Sequence, residues 1–207
     1  MTSSLQDLYV ITDPNLISPR KFAAKVRQAL QGGANIVQYR DKSQQHQLRF
    51  EQASMMVELC KEYGAISIIN DDIDLAKTVN ADGVHIGSED DGLNYARKKL
   101  GEKKIIGVSC YADLSLAEQA VANSADYVAF GSIFASPTKP QAPVTGLDIL
   151  RQAKQSLAVP IVAIGGITLD NLDQVISSGA DSVAIISGVF ASEDVCLKAQ
   201  QFAQMFN

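Results

Sequence analysis

A chain of 207 residues that is 46% hydrophobic and 20% charged can bury one substantial core, so a single domain over 1–207 is expected. A net charge of -5 without any Lys/Arg run argues against nucleic acid or an anionic membrane surface as partner and leaves small molecules. No apolar stretch reaches the ~18 residues of a spanning helix, and Met1-Thr2-Ser3-Ser4 lacks the charged and apolar regions of a secretory signal. Cys60, Cys110 and Cys196 are too scattered for a disulfide framework or a CxxC site, so a cytoplasmic protein with three packing cysteines is expected.

The run Leu8-Tyr9-Val10-Ile11-Thr12-Asp13 predicts a first strand stopped by Pro14. Ser18-Pro19 is expected to cap a helix through Leu30, which Gly32-Gly33 ends. A second strand over 34–39, a long amphipathic helix over 43–63 closed by Gly64 and a third strand over 65–70 repeat the βα unit. Helices over 72–79, 90–100 and 115–123 then alternate with strands over 83–87, 104–109 and 127–131. A helix over 145–156 follows. Val159 to Thr168 and Ser182 to Gly188 are two further apolar runs ending in small residues, each followed by a helical pattern, the last ending near Phe206. Strands buried on both faces carry such near-continuous apolar runs. Eight βα units predict a single-domain (β/α)8 TIM barrel near the lower size limit of that fold. The alternative, an open doubly wound sheet, lacks the G-x-G-x-x-G turn expected after its first strand. No internal repeat beyond the βα unit is expected.

The two small-residue strand ends near the C-terminus expose backbone N–H groups, and barrels place phosphate sites in the loops after strands seven and eight. In the second strand, alternation puts Ile36, Gln38 and Arg40 on one face, with Lys42 just beyond. Polar groups at the end of a barrel strand are costly without a ligand or counter-charge, and two cations on one side suit an anionic phosphate ester. Asn70-Asp71-Asp72 and Ser88-Glu89-Asp90-Asp91 end the third and fourth strands; either cluster can cap a helix or supply oxygens to Mg²⁺, and the spacing leaves both readings open. Ser109 ends the fifth strand. The segment 132–145, with three prolines and no periodicity, predicts an active-site loop that carries Ser136, Thr138 and Lys139 and closes as a lid. His46 and His85 fit no ligand pattern and receive no role. No G-x-S-x-G, P-loop or Ser/His/Asp order appears.

Taken together, Gln38-x-Arg40-x-Lys42, Asn70-Asp71, Gly83-Val84-His85-x-Gly87 with Glu89-Asp90, Gly107-Val108-Ser109, Ser136-x-Thr138-Lys139, Ile164-Gly165-Gly166-Ile167 and Ile186-Ser187 resemble the thiamin phosphate synthase (thiamin phosphate pyrophosphorylase) family. The resemblance implies transfer of a pyrimidinylmethyl group from a hydroxymethylpyrimidine diphosphate to a hydroxyethylthiazole phosphate, giving thiamin phosphate and pyrophosphate. It implies that Arg40, Lys42, Asn70 and Lys139 hold the diphosphate, that Asp71 and Asp90 bind Mg²⁺, and that Gln38 and Ser109 lie against the pyrimidine and its diphosphate. Arg40, Lys42, Lys139 and Ser109 are thereby the expected catalytic set. Ser136 and Thr138 would lie near the thiazole phosphate, held also by backbone at Gly166, Ile186 and Ser187. Two departures stand out: Ala135-Ser136 replaces the family's usual Pro-Thr, and Ser88 a frequent Gln. Related thiazole tautomerases place a histidine just after the strand-five serine, where this chain has Cys110-Tyr111, and a non-catalytic precursor-binding protein is the remaining alternative. The partners implied are the two small-molecule substrates, with homo-oligomerisation open.

Overall fold

The computed structural model describes residues 5–87, 92–135 and 143–206. Eight parallel strands close into a barrel in sequence order: β1 (Asp7–Ile11), β2 (Ile36–Tyr39), β3 (Ile66–Asn70), β4 (Gly83–Ile86), β5 (Ile105–Tyr111), β6 (Tyr127–Phe130), β7 (Ile161–Ile164) and β8 (Ser182–Ile185). Closure comes from β1 pairing with β8, Tyr9 facing Ala184 in register. Around the barrel, the described residues form helices α1 (Phe22–Gln31), α2 (His46–Tyr63), α3 (Ile73–Thr78), α4 (Leu93–Leu100), α5 (Leu114–Ala122), α6 (Asp148–Ser156), α7 (Leu172–Ser177), α8 (Ser187–Phe190) and α9 (Val195–Ala203). The (β/α)8 expectation holds, with the four-residue α8 as an addition ahead of the last helix. None of the described helices is long and apolar enough to cross a membrane.

Strand alternation divides the apolar residues between two cores. In β2, Val37 and Tyr39 pack outward against the helices while Ile36 packs inside the barrel. The interior is small, built from Tyr9, Ile36, Ile66, Ile68, Tyr127 and Val162 with few others, and the larger core lies between the strands and helices. Space inside is tight. A Cβ at Gly107 of β5 would fall within the ring of Tyr127, so only glycine lets that aromatic cross the barrel.

Several helix boundaries differ from expectation for local reasons. Ser18 makes no side-chain cap; Pro19–Lys21 forms a 3-10 turn and α1 starts at Phe22. Gly146 sits at a φ of 74°, outside helical space, so α6 begins at Asp148 rather than Thr145. Asp72, Asp113 and Asp194 each accept an N–H three residues on, capping α3, α5 and α9.

An internal repeat, contrary to expectation, precedes every even strand. Gly33-Ala34-Asn35, Asn80-Ala81-Asp82, Ser124-Ala125-Asp126 and Gly179-Ala180-Asp181 each open with a left-handed residue, at φ of 97°, 55°, 70° and 108°. The buried alanine that follows returns its N–H to a carbonyl five residues back: Ala34 to Ala29, Ala81 to Ala76, Ala125 to Ala120 and Ala180 to Val175. This is the Schellman ending of a helix. In three of the four the aspartate then takes the N–H near the start of the preceding strand: Asp82 that of Ser67 at 2.8 Å, Asp126 that of Ile106 at 2.7 Å and Asp181 that of Ile161 at 2.9 Å. Arg97 and Lys154 pair with the latter two carboxylates. The lower end of the barrel is thus pinned by carboxylates, leaving the upper end for chemistry.

Candidate active site

Because all eight strands run the same way, their C-terminal ends and the loops beyond them share one face. Gln38 lies near the end of β2, Asn70 ends β3, Ser109 lies late in β5, Gly165 and Gly166 follow β7, and Ile186 and Ser187 follow β8. Arg40 and Lys42 come just past β2. The described members of the sequence-derived set therefore gather at one rim. Asp90, Ser136, Thr138 and Lys139 lie outside the described residues, as does most of the expected lid. What is described of that loop is its base, where Thr145 N–H donates to the Ser132 carbonyl at 2.8 Å and Gly146 N–H to that of Ile133 at 3.2 Å.

At the β2–β3 edge, Lys42 Nζ lies 2.9 Å from Asp71 Oδ2. Asp71 adopts a φ of 63°, unusual for a residue with a side chain, and its N–H is tied to the carbonyl of His85 at 2.8 Å. Such backbone strain persists where surrounding structure enforces it and clusters at functional sites. Asp72 next to it turns the other way, capping α3 through Oδ1 and meeting Arg49 through Oδ2 at 2.7 Å. Of the Asn70-Asp71-Asp72 cluster, Asp72 thus caps the helix, while Asp71 faces the lysine that follows β2. The Arg40 N–H donates to Thr12 Oγ1, and no carboxylate among the described residues lies within ion-pair distance of its half-buried guanidinium. Tyr39 faces the helices as alternation requires, its hydroxyl donating to Gln52 Oε1 at 3.0 Å.

Beneath this rim a row of polar groups crosses the barrel. Gln38 Nε2 donates to the Tyr9 hydroxyl at 2.7 Å, the Tyr9 and Tyr127 hydroxyls are 2.9 Å apart, Tyr127 meets His85 Nδ1 at 2.9 Å, and His85 Nε2 meets Ser109 Oγ at 2.8 Å. The rings reinforce the row: Tyr9 and Tyr127 meet edge-on, and His85 stacks on Tyr127 at 5.6 Å. Burial pushes the His85 imidazole down to about 4, against the pull of the Asp71 charge, and lifts both phenols above their ordinary range. The histidine is therefore neutral at physiological pH. Sequence reasoning missed Tyr9 and Tyr127 and gave His85, read as satisfied or solvated, no role; both of its ring nitrogens are partnered within the row. One signal was present: His85 interrupts an otherwise apolar four-residue strand, two positions from Gly83 on the same face.

After β7 and β8 the backbone itself forms the surface. Gly165 and Gly166 hold φ of 101° and 65°, and a Cβ on either would collide with Ser132 or with the Phe134–Ala135 backbone. Asn171 braces this turn, accepting from Thr168 N–H at 2.9 Å and donating to the Gly166 carbonyl at 3.0 Å. Ile186 precedes the four-residue α8, and its carbonyl accepts the N–H groups of Val189 and Phe190 at 3.3 and 3.0 Å. Small-residue turns at two adjacent strand ends, where backbone can approach a ligand closely, suit a phosphate. Cys60 and Cys110 are buried, their thiols pushed up to about 12 by desolvation, while Cys196 is half-buried.

The sequence profile of the thiamine monophosphate synthase family matches residues 8–189. The thiamine-phosphate synthase of Nitrosococcus oceani is 48% identical over 206 residues, covering 100% of this chain and 95% of its own. That of Halorhodospira halophila is 46% identical over 199 residues, covering 96% and 93%. Among solved structures, thiamine phosphate pyrophosphorylase from Pyrococcus furiosus superposes with a TM-score of 0.88 at 38% identity, over 97% of this chain and 95% of that one. A 3-hexulose-6-phosphate synthase superposes at 0.70 with 18% identity and shares the fold alone. Similarity of this depth, running from the first strand through the turn after β8, means that this chain belongs to the thiamine monophosphate synthase family and is a transferase.

Proposed function

We propose that this enzyme joins 4-amino-2-methyl-5-hydroxymethylpyrimidine diphosphate to 4-methyl-5-(2-hydroxyethyl)thiazole phosphate, releasing thiamin phosphate and pyrophosphate with the help of Mg²⁺. The observation that carries this reading is the upper rim of the barrel: Lys42 after β2 meets a strained carboxylate after β3, with Arg40 beside them, and glycine-built turns follow β7 and β8 on the same face. That layout offers one place for a metal-bound diphosphate and another for a phosphate monoester.

In the reaction, the bond from the pyrimidine methylene carbon to the diphosphate oxygen breaks with its electron pair leaving on the diphosphate. The thiazole nitrogen then shares its lone pair with that carbon. The electron-rich aminopyrimidine supports the charge between the two events, so no general base is needed. Arg40, Lys42 and Asn70 bind the departing anion, and Ser109 donates to it from β5. Lys139 would add a cation from the loop after β6. Gly166, Ile186 and Ser187 hold the thiazole phosphate through backbone N–H groups, with Ser136 and Thr138 beside it. Fixed positive charge aimed where the anion develops is the main catalytic contribution such a site can make.

Asp71 fits a hard divalent cation: its carboxylate sits at the rim, already faces one positive charge, and is held there by a strained backbone. Asp90 is the second expected oxygen donor. When bound, Mg²⁺ supplies charge that stabilises the leaving diphosphate.

The Ser109–His85 contact superficially suggests a nucleophile and its base. Its surroundings argue otherwise, since Nδ1 meets a phenol rather than a carboxylate and the imidazole is held far below the range useful for a base at neutral pH. The tautomerase reading is disfavoured because Cys110 is buried and Tyr111 stands where those enzymes have histidine. The test is incubation with both substrates and Mg²⁺. Thiamin phosphate and pyrophosphate should appear in equal amounts; isomerisation of the thiazole alone, or binding without turnover, would overturn the assignment.

A further inference from the structure

The polar row from Gln38 to Ser109 can run in either of two directions, and the placement of the Gln38 amide selects one of them. Gln38 Nε2 donates to the Tyr9 oxygen, so the single phenolic hydrogen of Tyr9 must point to Tyr127. The Tyr127 hydrogen then goes to His85 Nδ1, the neutral imidazole carries its proton on Nε2, and that N–H donates to Ser109 Oγ. Ser109 is left with its own hydrogen free for a ligand. Turning the Gln38 amide over would reverse every bond in the row, ending with Ser109 donating to His85 and only lone pairs left for the site.

Intermediate arrangements are poor. Tyr9 and Tyr127 are 1% and 0% exposed, so a break in direction leaves a buried hydroxyl hydrogen without an acceptor or sets two hydrogens against each other. Bonds in such a row also polarise one another in a low-dielectric interior. The row therefore has two allowed states, and the orientation of the Gln38 amide is the same variable as the donor or acceptor character of Ser109, although the two residues lie on β2 and β5. A diphosphate has only acceptor oxygens and needs Ser109 as a donor.

We propose that Tyr9, Tyr127 and His85 are positioning residues that lock Ser109 as a hydrogen-bond donor toward the diphosphate and hold the Gln38 amide in the matching orientation toward the pyrimidine. What Ser109 faces rests on the proposed function; the direction of the row does not.

The experiment is ¹⁵N NMR of histidine-labelled full-length protein, which distinguishes the two neutral tautomers. Only two histidines are present, and a His46→Gln variant assigns the exposed one. The wild type should show His85 as the Nε2–H tautomer alone; the Nδ1–H tautomer or a mixture overturns the proposal without any variant. In Gln38→Glu at alkaline pH, the introduced carboxylate can only accept from Tyr9, so His85 should switch to Nδ1–H. Adding Tyr9→Phe cuts the row and should restore Nε2–H. An unswitched Gln38→Glu, or a switch that survives Tyr9→Phe, would show that the row does not transmit direction. In turnover, Ser109→Ala should lower kcat/KM by roughly tenfold in the wild type, as for a lost bond to a charged group, yet add almost nothing in Gln38→Glu. Equal losses in both backgrounds overturn the catalytic half of the proposal. A wild type with the expected tautomer but no thiamin phosphate synthesis would instead fault the proposed function.

Discussion

Lys42 Nζ and Asp71 Oδ2 lie 2.9 Å apart across the ends of β2 and β3, an ion pair whose acid is held at a left-handed φ of 63°. The lysine side chain is 64% exposed and the aspartate 25%, so the pair adds little to folding. Its value lies in placing a carboxylate and an exposed cation together at the rim. We expect turnover to vanish in EDTA and return with Mg²⁺, and Asp71→Asn to raise the Mg²⁺ concentration for half-maximal rate by on the order of 10–100-fold or more. Rate measured against Mg²⁺ concentration checks this, and full activity in chelator would remove the metal from the scheme.

Arg40 and Tyr39 are neighbours with opposite duties. Arg40→Ala should cost on the order of 10²–10³ in kcat, as for lost donors to a developing anion. Tyr39→Phe, buried among the helices, should leave kcat nearly unchanged while losing the bond to Gln52, at a cost of about 1 kcal/mol in stability. Steady-state kinetics with urea unfolding separates the two effects; a large kcat loss in Tyr39→Phe would contradict the strand-face assignment.

Asp82 anchors the lower end of β3 by accepting both the N–H and the hydroxyl of Ser67, at 2.8 and 2.7 Å. Asp82→Ala leaves that strand-start N–H without its acceptor and should destabilise the fold by about 1–3 kcal/mol. The exposed Asp74, on α3, should tolerate alanine with almost no change in the urea midpoint. Since Asp82 lies at the end opposite the rim, its variant should keep wild-type kcat wherever it remains folded.

Stability should fall in mild acid because of His85. Its imidazole titrates near 6.5 when unfolded and at about 4 when buried beside Tyr127, with Asp71 opposing that shift. The unfolded chain thus takes up a proton first as pH drops. The contribution is fully present above pH 6.5 and is lost as pH falls from there toward about 4, amounting to on the order of 3 kcal/mol. Denaturant unfolding of wild type and His85→Gln over this window should give converging stabilities as pH falls; parallel curves would show that another group governs the acid response.

Much of the architecture follows from local pattern. Short apolar runs alternating with helical periodicity can be covered on both faces only by a parallel sheet wrapped in helices, and a parallel barrel necessarily collects its strand ends on one face. Gln38, Arg40, Asn70, Asp71 and Ser109 could therefore be placed at one rim by their position in each βα unit alone. The tripeptides before the even strands were legible too, but their meaning depends on bonds to a different strand, such as Asp126 to Ile106. Other features arise only on closure. Alternation says that Tyr9, His85 and Tyr127 point inward, but not that their side chains meet; that depends on the stagger between strands, which one strand's sequence does not encode. The same holds for Gly107, whose missing side chain matters only because the Tyr127 ring crosses that spot. Periodicity decides which face a residue occupies, whereas the partner it finds there is decided by the geometry of all eight strands together.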